Sequence, residues 1–506
     1  MNYRSFSALA ALALGCGAAP PPPAPAPATP PSPATLTPTA ATSKGVEPPA
    51  SGIAPSAPFP GIAHRELENG LGLRVVERHV HPIIELRLVV RTGSAADGEK
   101  PGLASVAGEL LKAGGAGGMS PQKLVERAEA LGSSLDVVTD RDSTRISLSV
   151  TTGDLDPALE ILAALALKPA FAPVEFNKLR TREIERVKSS ARGSAAWAAS
   201  MVLYRELYEL PTGIHPYSRY DALPAEFEKI SLQDCRAWHK TNFAPGNAAL
   251  IVAGDVSPEA VEAGAKKWFG AWKGESPPNI SFSQPFPPKE REVYLVDRPG
   301  SAQSQVYVGM LGSDRTQPDF PALSAANQIL GGGVSSRLFL DVREKRSLAY
   351  STGSSVSDPA HGPGSVVLSA GTQTAKAPDA VAALLENLQA LAEKPAQPAE
   401  LESATRFLND SFVFKLETVG SVAELTSKLY ILGLGDDYFD EYRKAIRSLE
   451  LTPVSTVAAR YYQKTPIIVV AGDAATLGPE LAKFGPVAVV DPEHGFSLKK
   501  SYPKKP

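Results

Sequence analysis

Apolar positions recur along this chain at two spacings. In GLASVAGELLKAGG (102–115), Leu103, Val106, Ala107, Leu110 and Leu111 repeat as one helical face and predict a short helix. At 100° per residue, Ser105, Gly108 and Glu109 share its opposite face. Two small side chains and one acid are an odd composition for a solvated surface. Leu86, Leu88 and Val90 alternate with Arg87, Val89 and Arg91, the period-two pattern of a half-buried strand.

The same element order is written twice. NAALIVAGDVSPEA at 247–260 is echoed by TPIIVVAGDAATLG at 465–478. LQDCRAWHKTNF precedes the first copy and VSTVAARYYQKT the second. Upstream, TRISLSVTTGDLDPALEILAALALKPAFAPVEF pairs with GSVVLSAGTQTAKAPDAVAALLENLQALAEKPAQPAEL; each reads as strand, turn, amphipathic helix and proline-marked loop. LVERAEALGSSLDVVT likewise pairs with FLDVREKRSLAYSTGS, and the offset stays near 218 to 225 residues. These matches predict two homologous halves, 60–275 and 291–492, joined by a proline-rich linker at 276–290. Interspersed strands and helices of this kind imply an α+β fold, in which a mostly antiparallel sheet is packed by helices in each sandwich-like half. Two such halves predict a clam-like body.

At 506 residues, with 43% hydrophobic and 21% charged, the chain is a globular protein of more than one core. A formal charge of −3 gives no electrostatic basis for binding nucleic acid. Lys499, Lys500, Lys504 and Lys505 make 493–506 a basic end, read as a solvated tail. At the other end, Arg4 and the apolar run Phe6–Leu14 form a targeting segment, 1–16. Its Ala13-Leu14-Gly15-Cys16 resembles a bacterial lipobox, with Cys16 the lipidated residue. Residues 17–59 are dominated by Pro, Ala, Ser and Thr and read as an extended tether. No later apolar run reaches the ~20 residues that a bilayer requires. The expected location is the cell envelope, lipid-anchored, with Gly17 after the cysteine pointing to the outer membrane. Cys235 is then a lone thiol with no nearby histidine, read as a buried packing residue.

The duplicated halves resemble the pitrilysin/insulinase-type metallopeptidases, the inverzincins, a family that includes mitochondrial processing peptidase. The resemblance rests on PGLASVAGELLKAGG, HPYSRYDAL (215–223), FAPGNAALIVAGD (243–255), VDRPGSAQSQVYVG (296–309) and LGGGVSSRLFLDVREKRSLAY (330–350). In active members the first helix carries His-x-x-Glu-His: two zinc-binding histidines and a water-activating glutamate, with a later glutamate as third ligand. The corresponding positions here are Ser105, Gly108 and Glu109, with Glu183 or Glu185 in the place of the third ligand. Glu109 with Glu185 leaves two carboxylates and no general base, so no metal is expected in this chain. No other histidine replaces the lost pair; His79 and His81 are two apart, and His64, His239, His361 and His494 are isolated. His215 matches the family's His-Pro-Tyr turn, a structural element.

The second half keeps its family signature. Arg343 and Tyr350 in REKRSLAY match the arginine and tyrosine that the family brings to the peptide carbonyl, with Ser347 where glycine is usual. Gly331, Gly332, Gly333, Ser335 and Ser336 would let backbone approach a peptide closely. The resemblance thus implies a non-catalytic subunit of a heterodimeric zinc peptidase, binding extended peptide and supplying Arg343 and Tyr350 to a partner. That partner would carry HxxEH and hold the zinc. Alternatives are a structural or peptide-binding scaffold lipoprotein, and an independent zinc peptidase with non-standard ligands.

Overall fold

The computed structural model describes residues 57–505, except 211–213, 281, 287 and 289. The lipobox with Cys16, and the tether up to residue 56, lie outside the described residues. The first half contains β1 (Ala63–Glu66), β2 (Gly72–Glu77), β3 (Ile83–Val90), β4 (Asp136–Thr139), β5 (Thr144–Thr151) and β6 (Ala248–Gly254). Its helices are α1 (Leu103–Ala113), α2 (Pro121–Ala130), α3 (Leu155–Leu167), α4 (Pro173–Gly193) and α5 (Ala195–Leu207). They are followed by α6 (Pro224–Phe227), α7 (Leu232–Asn242) and α8 (Pro258–Phe269). The second half has β7 (Val293–Asp297), β8 (Gln303–Leu311), β9 (Ala349–Val356), β10 (Ser365–Gln373) and β11 (Ile467–Gly472). Strands β12 (Val487–Asp491) and β13 (Ser497–Tyr502) complete it. Its helices are α9 (Phe320–Gly331), α10 (Ala377–Glu393), α11 (Pro398–Asp410) and α12 (Val419–Leu432). Then come α13 (Tyr438–Arg447), α14 (Leu451–Tyr462) and α15 (Ala474–Leu481).

Two sheets result, in the orders β1-β2-β6-β3-β5-β4 and β13-β12-β7-β11-β8-β10-β9. Pairing is antiparallel except where β2 meets β6, and where β7 meets β11 and β12. The fold is α+β in two halves. Helix starts follow local chemistry: Ser231 accepts the Asp234 N–H at 3.2 Å, and the Asp234 carboxylate accepts the Ser231 N–H at 2.8 Å.

Each sheet is apolar on both faces. One face of the first sheet, with Leu73, Val75, Leu86 and Leu88, packs on α1 and α3 of its own half. Its other face, with Val76, Val89, Ala249 and Ile251, is covered by Val422, Ala423 and Leu429 of α12, from the second half. The reciprocal holds for α5: Ala198, Val202 and Leu203 pack on Val296, Val469 and Ala471 of the second sheet. The halves therefore interlock by exchanging one helix each. This is why β3 departs from the half-buried pattern expected of it. Val89 is as buried as Leu88, because a helix from the other half excludes water from that side.

Two expectations about the ends need correction. The basic end is not a free tail: Ser497–Tyr502 forms β13, antiparallel to β12, with Lys499 Nζ 2.9 Å from Asp297. Nor is the end of the expected tether solvated. Phe59 is buried against Phe412 and Phe439, and its N–H donates to the Asp440 carboxylate at 3.2 Å. An apolar ring ends the tether because it finds a pocket in the second half. Among the described residues, no helix is long and apolar enough to cross a membrane.

Candidate functional site

Helix α1 begins after Gly102, whose φ of 85° suits a residue without a Cβ. The Asp97 carboxylate accepts the N–H groups of Gly102 and Ala104, both at 2.7 Å, and so caps the helix. Burial pushes that carboxyl up to about 7, against the pull of both N–H donors. Gly108 faces β4 across almost no gap: a Cβ there would lie 2.1 Å from Thr139 Oγ1. The position that corresponds to the water-activating glutamate of the family thus carries no side chain, and even a methyl group there would have to displace the Thr139 hydroxyl. Ser105 is half-buried one turn earlier.

Glu109 reaches Arg182 Nη2 on α4 at 3.3 Å, and Arg182 Nε lies 3.4 Å from Glu183. Glu183 is buried and accepts from Arg186 Nε at 2.6 Å. Arg186 in turn forks onto Asp221 at 2.8 and 2.9 Å, which also accepts the Trp197 indole N–H at 2.9 Å. Hydrogen bonding to Asp221, ahead of the desolvation that opposes it, holds the Arg186 guanidinium firmly protonated. Two guanidinium groups therefore engage three carboxylates, Glu109, Glu183 and Asp221, around the contact of α1 with α4. Glu185, expected to share this face, does not. It is exposed and bonds Lys188 Nζ at 2.8 Å, which holds its carboxyl below the usual range. Residues two apart on a helix point about 200° apart, so only Glu183 can face α1.

Zinc needs three ligands of suitable type converging on one point. A serine, a glycine and a carboxylate engaged by Arg182 do not fit it, and no group of three His, Cys, Asp or Glu side chains able to hold a metal occurs among the described residues. The histidines serve elsewhere. His215 is buried, its Nδ1 accepting the Tyr217 N–H at 3.0 Å, and burial pushes it down to about 4, so the ring stays neutral. Tyr217 then ties the halves together. Its hydroxyl donates to Asp142 at 2.6 Å and accepts the His361 N–H at 3.0 Å. His239 is likewise pushed down to about 4 by burial, with Nε2 2.9 Å from the Ala166 carbonyl. Cys235 is fully buried, and desolvation pushes its thiol up to about 12, which suits a packing residue.

In the second half, Arg343 sits in a π-helical turn, Phe339–Lys345, where the Arg346 N–H donates to the Asp341 carbonyl at 2.9 Å. Such wide turns are rare and recur at functional sites. The Arg343 guanidinium is half-exposed, 4.7 Å above the Phe339 ring and 3.7 Å from Glu344. Ser347 follows with φ of 49°, and its carbonyl accepts from Lys376 Nζ at 2.9 Å. This left-handed residue turns the chain into β9, the outermost strand of its sheet. Tyr350 lies on β9 with its ring across Gly371 of β10: a Cβ there would come within 2.7 Å of the phenol oxygen. The tyrosine is 58% exposed. The π turn packs directly on β9, so Arg343 and Tyr350, both exposed residues, flank one turn.

The glycine-rich segment divides. Gly331 is fixed by packing, since a Cβ there would lie 2.4 Å from the Ser354 backbone nitrogen on β9. Gly332 is filled by Gln328, with Oε1 2.3 Å from the same point. Ser336 is buried and caps Phe339 through Oγ at 3.4 Å. Only Gly333 and Ser335 line an open cleft, of about 130 Å³, against Glu400, Ser403 and Phe407 of α11. That three of the five serve packing was not legible from the LGGG motif, because the strand facing it is distant in sequence.

Two family models match this chain. "Insulinase (Peptidase family M16)" covers residues 74–208, and "Peptidase M16 inactive domain" covers 229–408. The chain belongs to peptidase family M16. Two curated relatives come from Helicobacter pylori. One is named zinc protease PqqE, 24% identical over 414 residues, covering 79% of this chain and 90% of that protein. The other is named non-peptidase homolog YmxG, 24% identical over 407 residues, covering 78% and 90%. Among solved structures, the peptidase M16 inactive domain from Pseudomonas fluorescens matches with a TM-score of 0.75 and 24% identity, over 81% of this chain and 98% of that one. That likeness shows the fold. The M16 fold is kept here with its metal face closed by Arg182 and Thr139.

Proposed function

We propose that this M16 chain is the non-catalytic subunit of a two-chain zinc peptidase, anchored to the envelope through Cys16. It would bind extended peptide and present Arg343 and Tyr350 to the scissile carbonyl in a partner's zinc site. The observation that carries this reading is an asymmetry within one chain. Its first half carries a serine, a glycine and an arginine-bound glutamate where the family places its metal ligands and base, whereas its second half holds an exposed arginine and tyrosine on a π turn and an edge strand. With no metal-ligand set beside Ser105 and Glu109 among the described residues for them to serve, service to another chain accounts for the pair. The two Helicobacter pylori names support a division of labour, since both a zinc protease and a non-peptidase homolog resemble this chain.

The chemistry asked of Arg343 and Tyr350 is modest. A guanidinium fork and a phenol hydroxyl hold a peptide carbonyl and stabilise the oxyanion that develops on it. The partner supplies metal and activated water. Co-expression with an HxxEH chain of the same cell tests the assignment. A one-to-one complex is expected, with zinc that is lost when the partner's histidines are replaced, and the isolated chain is expected metal-free. Zinc bound stoichiometrically by this chain alone would overturn the reading in favour of an independent peptidase. A complex with no peptidase activity would overturn it in favour of a scaffold.

A further inference from the structure

Among the described residues, a groove that neither Arg343 nor Tyr350 lines opens on the second half. It encloses about 980 Å³ between α9, α11 and α12, and its apolar lining includes Phe320, Phe407, Phe412, Phe414, Phe439 and Tyr442. Phe412 and Phe439 are buried and form its floor, whereas Phe407 is 54% and Phe414 72% exposed. Bare aromatic rings of that extent beside a buried aromatic floor mark a contact surface rather than ordinary surface scatter. The groove shares Gln328 and Phe407 with the small cleft at Gly333 and Ser335, so the two adjoin.

Its charge is lopsided. Arg87 is satisfied by Glu85 at 2.8 Å and by Glu424. Arg315 and Lys428 share a single carboxylate, Asp358, which Lys428 Nζ meets at 2.5 Å. Arg315 Nε is buried without a partner, as is Asn327 Oδ1 in the wall. Lys415, exposed beside Phe414, makes no ion pair among the described residues. Three cations with one carboxylate among them leave a positive end next to an aromatic trough.

We propose that this groove binds a peptide segment in which bulky apolar side chains stand next to a carboxylate. The rings take the apolar side chains, and the Arg315, Lys428 and Lys415 end takes the acid. Polar side chains, Ser324, Asn327, Gln328, Ser411 and Ser421, run along the lining. Ser324 Oγ already bonds the Phe320 carbonyl at 2.9 Å, Asn327 Nδ2 the Ser354 carbonyl at 3.3 Å and Ser421 Oγ the Thr418 hydroxyl at 2.8 Å. The Gln328 amide lines the groove without such a bond among the described residues. An acyl chain would leave its donor and acceptor unpaired where a peptide backbone matches both, which favours peptide over lipid. The inference rests on the reading that this chain handles peptides, but it needs no partner subunit and no zinc.

The test uses the isolated full chain and fluorescence anisotropy. Its probes are a fluorescein-labelled decapeptide with Phe and Leu flanked by Glu, the same peptide with Lys for Glu, and oleate as competitor. The acidic peptide is expected to bind at least about tenfold more tightly than the basic one, with the preference fading as salt rises. Phe414→Ala and Lys415→Glu, both at exposed positions, are each expected to weaken it about tenfold while leaving the circular dichroism spectrum unchanged. Equal binding of both peptides, or indifference to both variants, overturns the proposal. So does saturable oleate binding, read by isothermal titration calorimetry, without peptide binding, which would make the groove an amphiphile site. Because no hydrolysis is measured, failure here leaves the role of Arg343 and Tyr350 standing, and failure of that role leaves this groove standing.

Discussion

A Cβ on Gly108 would sit 2.1 Å from Thr139 Oγ1 and 3.2 Å from Thr139 Cβ, so one methyl group is enough to reveal what this position does. Helix propensity alone predicts that Gly108→Ala would stabilise α1 by about 0.5–1 kcal/mol. The contact predicts the reverse, a loss of about 1–3 kcal/mol from overpacking. In urea denaturation Gly108→Ala is therefore expected to be less stable than the parent. Thr139→Ala on the same background should recover part of the loss, since the hydroxyl is the nearer atom. A Gly108→Ala variant as stable as the parent would show that α1 and β4 are not closed against each other. The nearby charges follow the same logic. Arg182 and Arg186 occupy the carboxylates of Glu109, Glu183 and Asp221 by direct contact, and a metal would have to displace them.

Helices α5 and α12 hold corresponding places in the two halves, and each is buried on the other half's sheet. Leu203 of α5 fits against Gly309 of β8, where a Cβ would lie 2.6 Å from its Cδ1. Removing that side chain leaves a cavity between halves, at a cost of about 2–5 kcal/mol. Leu203→Ala is accordingly expected to speed amide hydrogen exchange in β8 and β11, across the boundary, as well as in α5. Faster exchange confined to the first half would contradict the exchange of helices. This feature also marks where sequence reasoning stops. The repeat, the α+β class and helix α1 were readable because periodicity and self-similarity are local. The burial of Val89 was not, because its covering residues, Val422 and Ala423, lie more than three hundred positions away. Glu185 was misplaced for a related reason: spacing locates a helix but does not fix which of two nearby acids faces a neighbour. The packing roles of Gly331 and Gly332 depend on tertiary contacts with Ser354 and Gln328 that no motif encodes.

At the scale of the whole molecule, an M16 body has lost its metal face on one side and kept a polar pair on the other. The Tyr217 hydroxyl, bonded to Asp142 and to the His361 N–H, joins a hairpin turn of the first half to one of the second. Interlocked helices and this bridge make the body one folding unit, able to hold Arg343 and Tyr350 steady against a second chain. The most direct measurement is peptide hydrolysis by a reconstituted pair, comparing the parent chain with Arg343→Ala and Tyr350→Phe. Both residues are half-exposed or exposed, so neither change should affect folding. Loss of an oxyanion-stabilising group lowers kcat by about 100-fold or more, and that fall is expected for Arg343→Ala while the complex still forms. Undiminished hydrolysis by a pair carrying both substitutions would contradict the account.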